Sequence, residues 1–265
     1  MDYKELCFQV QNIAHSTGNF IRGEQKKITE KNIEIKSVAS LVTYVDKTAE
    51  KQIVDALKEL LPEAGFVAEE GTAESNNEKY TWFVDPLDGT TNYLHGLAPH
   101  SVSIALAEGN ELVLGVVYEV GADEMFYSWK GGPAYCNEEI IETAKRSKSE
   151  DTLIATGFPY YDFDKVDEYI GAMKELMQST RGIRRFGSAA IDLCYVAAGR
   201  FDAFYEHALH AWDVAAGVFI LQQAGGKTTD FSGGDNWLFG GEIVSASNAY
   251  FPEFFGIVNK YLGEK

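Results

Sequence analysis

Asp85 and Asp88 stand three residues apart in the run Trp82-Phe83-Val84-Asp85-Pro86-Leu87-Asp88-Gly89-Thr90-Thr91-Asn92-Tyr93, where an apolar strand pattern stops. Phe83 and Val84 are strand formers. Pro86 keeps Asp85 extended and ends the ladder. Asp85 then projects from the strand end, while Leu87 and Asp88 bend back towards it. Gly89 lets the backbone approach a ligand closely. Thr90 opens a short helix whose N–H groups face an anion. Carboxylates beside such a helix start repel a phosphate unless divalent cations lie between them. The run therefore has the layout of a metal-dependent phosphoryl-transfer site.

Asp-Pro-x-Asp-Gly is also good turn chemistry, so the rest of the chain must decide. Other carboxylates stand at element ends. Glu69 and Glu70 follow an apolar strand, Asp46 follows another, and Glu206 ends Phe201-Asp202-Ala203-Phe204-Tyr205. Asp213 falls in the first turn of a helix beginning near Ala211-Trp212. Each has a plainer role open to it: Asp213 can complement a helix dipole, Asp46 can cap a helix, and Glu70 can be a solvated neighbour. His207 and His210 could begin a zinc site, but no cysteine or further histidine completes it. His95 and His100 read as packing or loop residues.

The charge balance narrows the function classes. Asp and Glu number 40 against 23 Lys and Arg, a formal net charge of -17. That disfavours nucleic acid and anionic membrane as partners. It also opposes a phosphate substrate, and bound divalent cations would remove the conflict. No apolar run approaches the roughly 18 residues of a membrane span. Met1-Asp2-Tyr3-Lys4-Glu5 does not open a signal peptide. Cys7, Cys136 and Cys194 are odd in number and widely spaced, as in reduced cytosolic proteins, and Cys194 reads as packing. A cytoplasmic location is expected.

Periodicity supplies the elements that must position these residues. Helices are expected over 4–21, 47–61, 164–178, 188–198, 211–224 and 251–262. The helix over 47–61 takes Asp46 as its N-cap, and Gly225-Gly226 closes that over 211–224. A hairpin is expected over 27–45. Strands are expected near 66–69, 80–85, 101–108, 112–119, 123–128, 152–156, 201–206, 227–231 and 242–246, with a polar loop over 70–79. The first strands read as mostly antiparallel. The pattern divides into an N-terminal half, 1–147, and a C-terminal half, 148–265, forming one compact unit. The 265 residues suit one large domain or two intimately packed halves.

Together the motifs resemble the inositol monophosphatase family. Trp82 to His95 is similar to its first signature. Trp212-Asp213-Val214-Ala215-Ala216-Gly217, running to Ala224-Gly225-Gly226, is similar to its second. Arg184-Arg185-Phe186-Gly187-Ser188-Ala189-Ala190 and Ala198-Gly199-Arg200-Phe201-Asp202 also resemble the family, in order, from Lys36 to Gly226. The Arg184-Arg185 pair departs from the animal enzymes and resembles bacterial members. An extra arginine there could reach a second phosphate.

The resemblance implies an α+β fold, a layered α/β/α/β/α sandwich with a large, mainly antiparallel sheet and a smaller mixed one. It implies two or three magnesium ions. Glu69, Asp85 and the Leu87 carbonyl would hold one; Asp85, Asp88 and Asp213 would hold a second. Thr90 and Asp46 would orient the attacking water, with Glu69 among the catalytic groups. The N–H groups of Gly89 and Thr90 would bind phosphate, Lys36 would add positive charge, and Glu206, Gly187 and Ala189 would contact polyol hydroxyls. The implied reaction is hydrolysis of a phosphate monoester without a phosphoenzyme, myo-inositol monophosphate being favoured. Fructose 1,6-bisphosphate and 3′-phosphoadenosine nucleotides are alternatives, and a catalytically idle metal-binding regulatory protein is the non-enzyme one. A homodimer is also implied.

Overall fold

The computed structural model describes residues 1–28, 33–37, 40–71, 78–158 and 163–263, with the backbone alone at 33–37 and 40–42. Helix α1 (Tyr3–Glu24) begins where the Asp2 side chain accepts the N–H groups of Lys4 and Glu5. It buries Leu6, Cys7, Val10, Ala14, Thr17 and Ile21, a helical stripe. Strands β1 (Ile33–Ser37) and β2 (Ser40–Thr43) form an antiparallel hairpin, and α2 (Tyr44–Leu60) follows at once. Asp46 is not the N-cap of α2. Thr43 is: its hydroxyl accepts Val45 N–H at 3.0 Å, and Asp46, inside the first turn, reaches back to it as a capping box.

The large sheet comprises β3 (Gly65–Ala68), β4 (Tyr80–Asp88), β5 (Ser101–Glu108), β6 (Glu111–Glu119), β7 (Glu124–Trp129), β8 (Tyr135–Cys136) and β9 (Glu139–Ile140), side by side in that order. All neighbours are antiparallel except β3 and β4. Contrary to expectation, Pro86 does not end the β4 ladder. Asp85 pairs with Ser103 and Asp88 with Ser101, so three steps on β4 face two on β5. Pro86 lacks an N–H and sits in this bulge. Helix α3 (Thr90–Leu94) follows, with Gly89 as its N-cap at φ +91°.

The smaller sheet contains β10 (Ile154–Thr156), β11 (Ile183–Arg184), β12 (Ala203–His207), β13 (Gly226–Thr229) and β14 (Glu242–Ser247), in the order β11-β10-β12-β14-β13. It is mixed: β10 runs parallel to β11 and β12, and β14 antiparallel to β12 and β13. The two-residue strands β8, β9 and β11 escaped the sequence reading because so short a run carries no period.

Three apolar layers bind the sheets. One lies between the large sheet and α1 with α2. The second lies between the sheets and contains α5 (Ala189–Ala197) and α6 (Ala211–Gln223), which are apolar nearly all round because both faces are covered. The third joins the outer face of the small sheet to α4 (Val166–Ser179) and α7 (Phe251–Leu262). The fold is thus α+β, layered α/β/α/β/α. A Cβ at Gly115 would stand 2.8 Å from the Ala216 carbonyl, so that glycine lets α6 lie directly on β6. Among the described residues no helix is long and apolar enough to cross a membrane.

Candidate active site

The ends of β3, β4, α2, α5 and α6 meet at one edge of the sandwich. The parallel register pairs Ala68 with Val84, and Glu69 N–H donates to the Val84 carbonyl at 3.2 Å. Glu69 is thereby brought beside Asp85. Asp85 is 2% exposed, and its Oδ1 accepts Leu87 N–H at 2.9 Å, folding the chain around Pro86. On β5, Ser103 pairs with Asp85 and its hydroxyl donates to the Trp212 carbonyl at 3.4 Å. That contact sets the start of α6, and Asp213 with it, over Asp85. Asp213 Oδ2 accepts His210 N–H at 2.6 Å, which ties the carboxylate to the first turn of α6.

Asp88 Oδ2 accepts the Ser188 hydroxyl at 2.7 Å and Ala190 N–H at 2.8 Å. The start of α5 therefore fixes Asp88. Asn92 closes the same region by donating to the Pro99 and Phe186 carbonyls at 2.8 and 2.7 Å. A Cβ at Gly89 would come within 3.0 Å of the Pro99 carbonyl and 3.1 Å of the Gly187 carbonyl, so glycine is required there by packing as well as by φ. Ser188 and Asn92 were missed in the sequence. Short polar residues near a helix start are common, and nothing local marks these two as fasteners.

The Thr90 hydroxyl lies 3.0 Å from Asp46 Oδ1 and 3.0 Å from the Leu87 carbonyl. Thr43 N–H and Oγ–H hold the other oxygen of Asp46 at 2.8 and 2.7 Å. Burial raises the Asp46 carboxyl above its usual range, and these donors from Thr43 and Thr90 oppose the rise.

Glu206 ends β12 and is 5% exposed. A Cβ at Gly157 would overlap its carboxylate, so the missing side chain of Gly157 makes its seat. The Arg185 guanidinium stands 5.8 Å over the Phe158 ring and lies against Gly187. His210 stacks on Trp212 at 4.6 Å, His207 lies beside Phe231 and His100 beside Tyr93. His95 caps the end of α3. Lys36 is on β1, and its side chain lies outside the described residues.

The electrostatics of the acidic group are adverse. Burial, then the charges of Glu69, Asp88 and Asp213, push the Asp85 carboxyl well above its usual range. Asp213 is pushed well up by burial and by Asp88. Burial raises Asp88 to about 6 against the pull of its donors. Asp85, Asp88 and Asp213 make no ion pair with Lys or Arg among the described residues. Nor do three or more His, Cys, Asp or Glu side chains there stand in a ready-made metal cage. The chemistry of the donor set still suits a cation: these are hard oxygens around one buried carboxylate.

Fold and motifs together define the class: the chain belongs to the inositol monophosphatase family, whose model matches residues 2–261. It is 36% identical to the inositol-1-monophosphatase of Mesorhizobium japonicum over 253 residues, 95% of each chain. It is 37% identical to the Nus factor SuhB of Pseudomonas aeruginosa over 254 residues, 94% of each. Its fold matches the crystal structure of the extragenic suppressor protein suhB of Bartonella henselae with a TM-score of 0.90 at 34% identity, covering 97% of this chain and 99% of that one. The family is generally metal-dependent.

Proposed function

We propose that this protein is a magnesium-dependent phosphatase of polyol monophosphates, with myo-inositol monophosphate as the favoured substrate. What supports this reading is the approach of Glu69, Asp85, Asp88 and Asp213, from three separated segments, beside the Thr90–Asp46 hydrogen bond. Glu69, Asp85, the Leu87 carbonyl, Asp88 and Asp213 would hold the ions. Bound magnesium supplies charge against the phosphate oxygens and makes a water more acidic. Asp46 accepts the Thr90 proton, which leaves a lone pair on Oγ1 to orient the attacking water. The Gly89 and Thr90 N–H groups take phosphate oxygens. Glu206 accepts hydroxyl hydrogen bonds from the polyol. Gly187 and Ala189 shape the same wall. Lys36 adds positive charge, and the protein acts as a homodimer.

The experiment is a hydrolysis panel with magnesium, using inositol 1-phosphate, fructose 1,6-bisphosphate, a 3′-phosphoadenosine nucleotide and an aryl phosphate. Hydrolysis of the inositol ester with the highest kcat/KM, abolished by chelation, is expected. Activity that survives chelation sinks the metal mechanism. A higher kcat/KM for the bisphosphate or nucleotide sinks the substrate choice.

A second reading is favoured by the similarity to relatives named Nus factors, which equals that to relatives named as phosphatases. In it the same chain also engages a protein partner. Pull-down by catalytically inactive Asp85→Asn protein would support that role, and a clean negative against wild-type controls would remove it.

A further inference from the structure

Glu50 takes no part in the chemistry described so far, yet it lies on the inward face of α2 among Ala49, Ile53, Val54 and Leu57 and is fully enclosed. A carboxylate in such a place is costly unless hydrogen bonds answer it. One of its oxygens accepts the Glu70 N–H at 2.7 Å, 20 residues along the chain. That N–H belongs to the turn after β3, which Gly71 N–H closes on the Ala68 carbonyl. Within such a turn the N–H of the third residue finds no partner, and Glu50 supplies one from outside. The peptide on the other side of Glu69 is held as well, by the Val84 carbonyl at 3.2 Å. Glu69 is therefore pinned on both sides of its Cα, through Val84 to the strand that carries Asp85 and through Glu50 to α2. Asp46 lies one helical turn before Glu50 on that helix, and it holds the Thr90 hydroxyl. One helix thus braces both Glu69 and the Thr90–Asp46 pair.

We propose that Glu50 is a positioning residue: through the Glu70 N–H it fixes the backbone of Glu69, so that the Glu69 carboxylate is set for a divalent cation before the ion arrives. The inference rests on the metal-dependent phosphatase reading above. A ligand whose backbone is already ordered loses less freedom on binding. Groups that hold a metal ligand from behind are worth on the order of 10–100-fold in metal affinity.

The test titrates magnesium into the substrate-free protein by calorimetry and, separately, follows inositol 1-phosphate hydrolysis against magnesium concentration. Glu50→Leu occupies the space without an acceptor. It should weaken magnesium binding about 10-fold and raise the half-saturating magnesium concentration in step. Its kcat at saturating magnesium should stay within about threefold of wild type, since the Thr90–Asp46 pair is intact. Glu50→Gln keeps an oxygen for the Glu70 N–H and should restore magnesium binding to within about threefold of wild type. If Glu50→Leu does not fold, Glu50→Asp replaces it: the charge stays, the shorter side chain withdraws the acceptor, and the same loss is expected. A lower melting temperature with unchanged magnesium binding overturns the inference, and so does an equal loss in Glu50→Gln. Wild type without magnesium-dependent hydrolysis of a phosphate ester means that the phosphatase reading itself has failed. Wild type with that activity, beside a Glu50→Leu or Glu50→Asp protein of unaltered magnesium affinity, means that only the role of Glu50 has failed.

Discussion

Thr90 Oγ1 stands 3.0 Å from Asp46 Oδ1 across a separation of 44 residues. The hydroxyl has one proton and two acceptors in range, Asp46 and the Leu87 carbonyl. The ionised acceptor forms the stronger bond, so the proton goes to Asp46. That choice leaves the Leu87 carbonyl available to an ion and a Thr90 lone pair available to a water.

Thr90→Ala should therefore lower kcat on the order of 100-fold while KM changes less than about threefold, since the lost interaction belongs to the transition state. Thr90→Ser should restore most of the rate. Steady-state kinetics decide the matter, and near-normal turnover in the alanine variant would refute the role.

Asp85→Asn should separate stability from activity. The substitution keeps an Oδ1 acceptor for Leu87 N–H and removes a buried charge that Glu69, Asp88 and Asp213 all oppose. The metal-free variant should melt higher than metal-free wild type, by about 1–3 kcal/mol of stability. Its activity should be lost. Magnesium should raise the melting temperature of wild type and leave the variant nearly unmoved. A variant that melts lower without metal would show that the acidic cluster is not strained.

Burial lifts the Glu206 carboxyl from its ordinary 4.5 to about 8, with Arg185 opposing and Asp88 adding to the rise. A raised carboxyl contributes stability that is fully present below the unfolded value. That contribution is lost as pH rises through about 8. Its size is on the order of a few kcal/mol. Melting curves of metal-free wild type should fall between pH 5 and 9, and those of Glu206→Gln should be flatter. Parallel curves would remove Glu206 as the titrating group. The same variant should lose more kcat/KM on the inositol ester than on an aryl phosphate, which offers no hydroxyls.

Gly157→Ala tests the seat of Glu206. The added methyl would overlap the carboxylate, and overpacking of this kind costs about 1–3 kcal/mol. KM for the polyol substrate should rise about 10-fold, with aryl phosphate hydrolysis conserved. Unchanged KM for both would show that Glu206 does not bind the polyol in that position.

Much of this was legible in the chain. Helical and strand periods located six of the seven α-helices among the described residues and every strand longer than two residues, because burial of one face imposes a period on the sequence; the short α3 was marked by the Gly89-Thr90 motif instead. The carboxylates at element ends were equally visible, since loops and strand ends interrupt those periods. Asp46 illustrates the boundary: its type marked a helix start, yet Thr43 is the cap and Asp46 its reciprocal partner. Local spacing fixes neither which of two neighbours caps nor what else it touches.

Tertiary structure alone decided the rest. The parallel β3–β4 register brings Glu69 to Asp85, and the Ser103–Trp212 contact brings Asp213 there. The bulge at Pro86, the Asp88 anchor on α5 and the Gly157 hollow each join segments distant in sequence. A sequence records what each segment must bury, while registers and helix approaches depend on how the buried faces interlock. The acidic residues were therefore readable as candidates from their types and places, and their meeting at one edge came only with the packing.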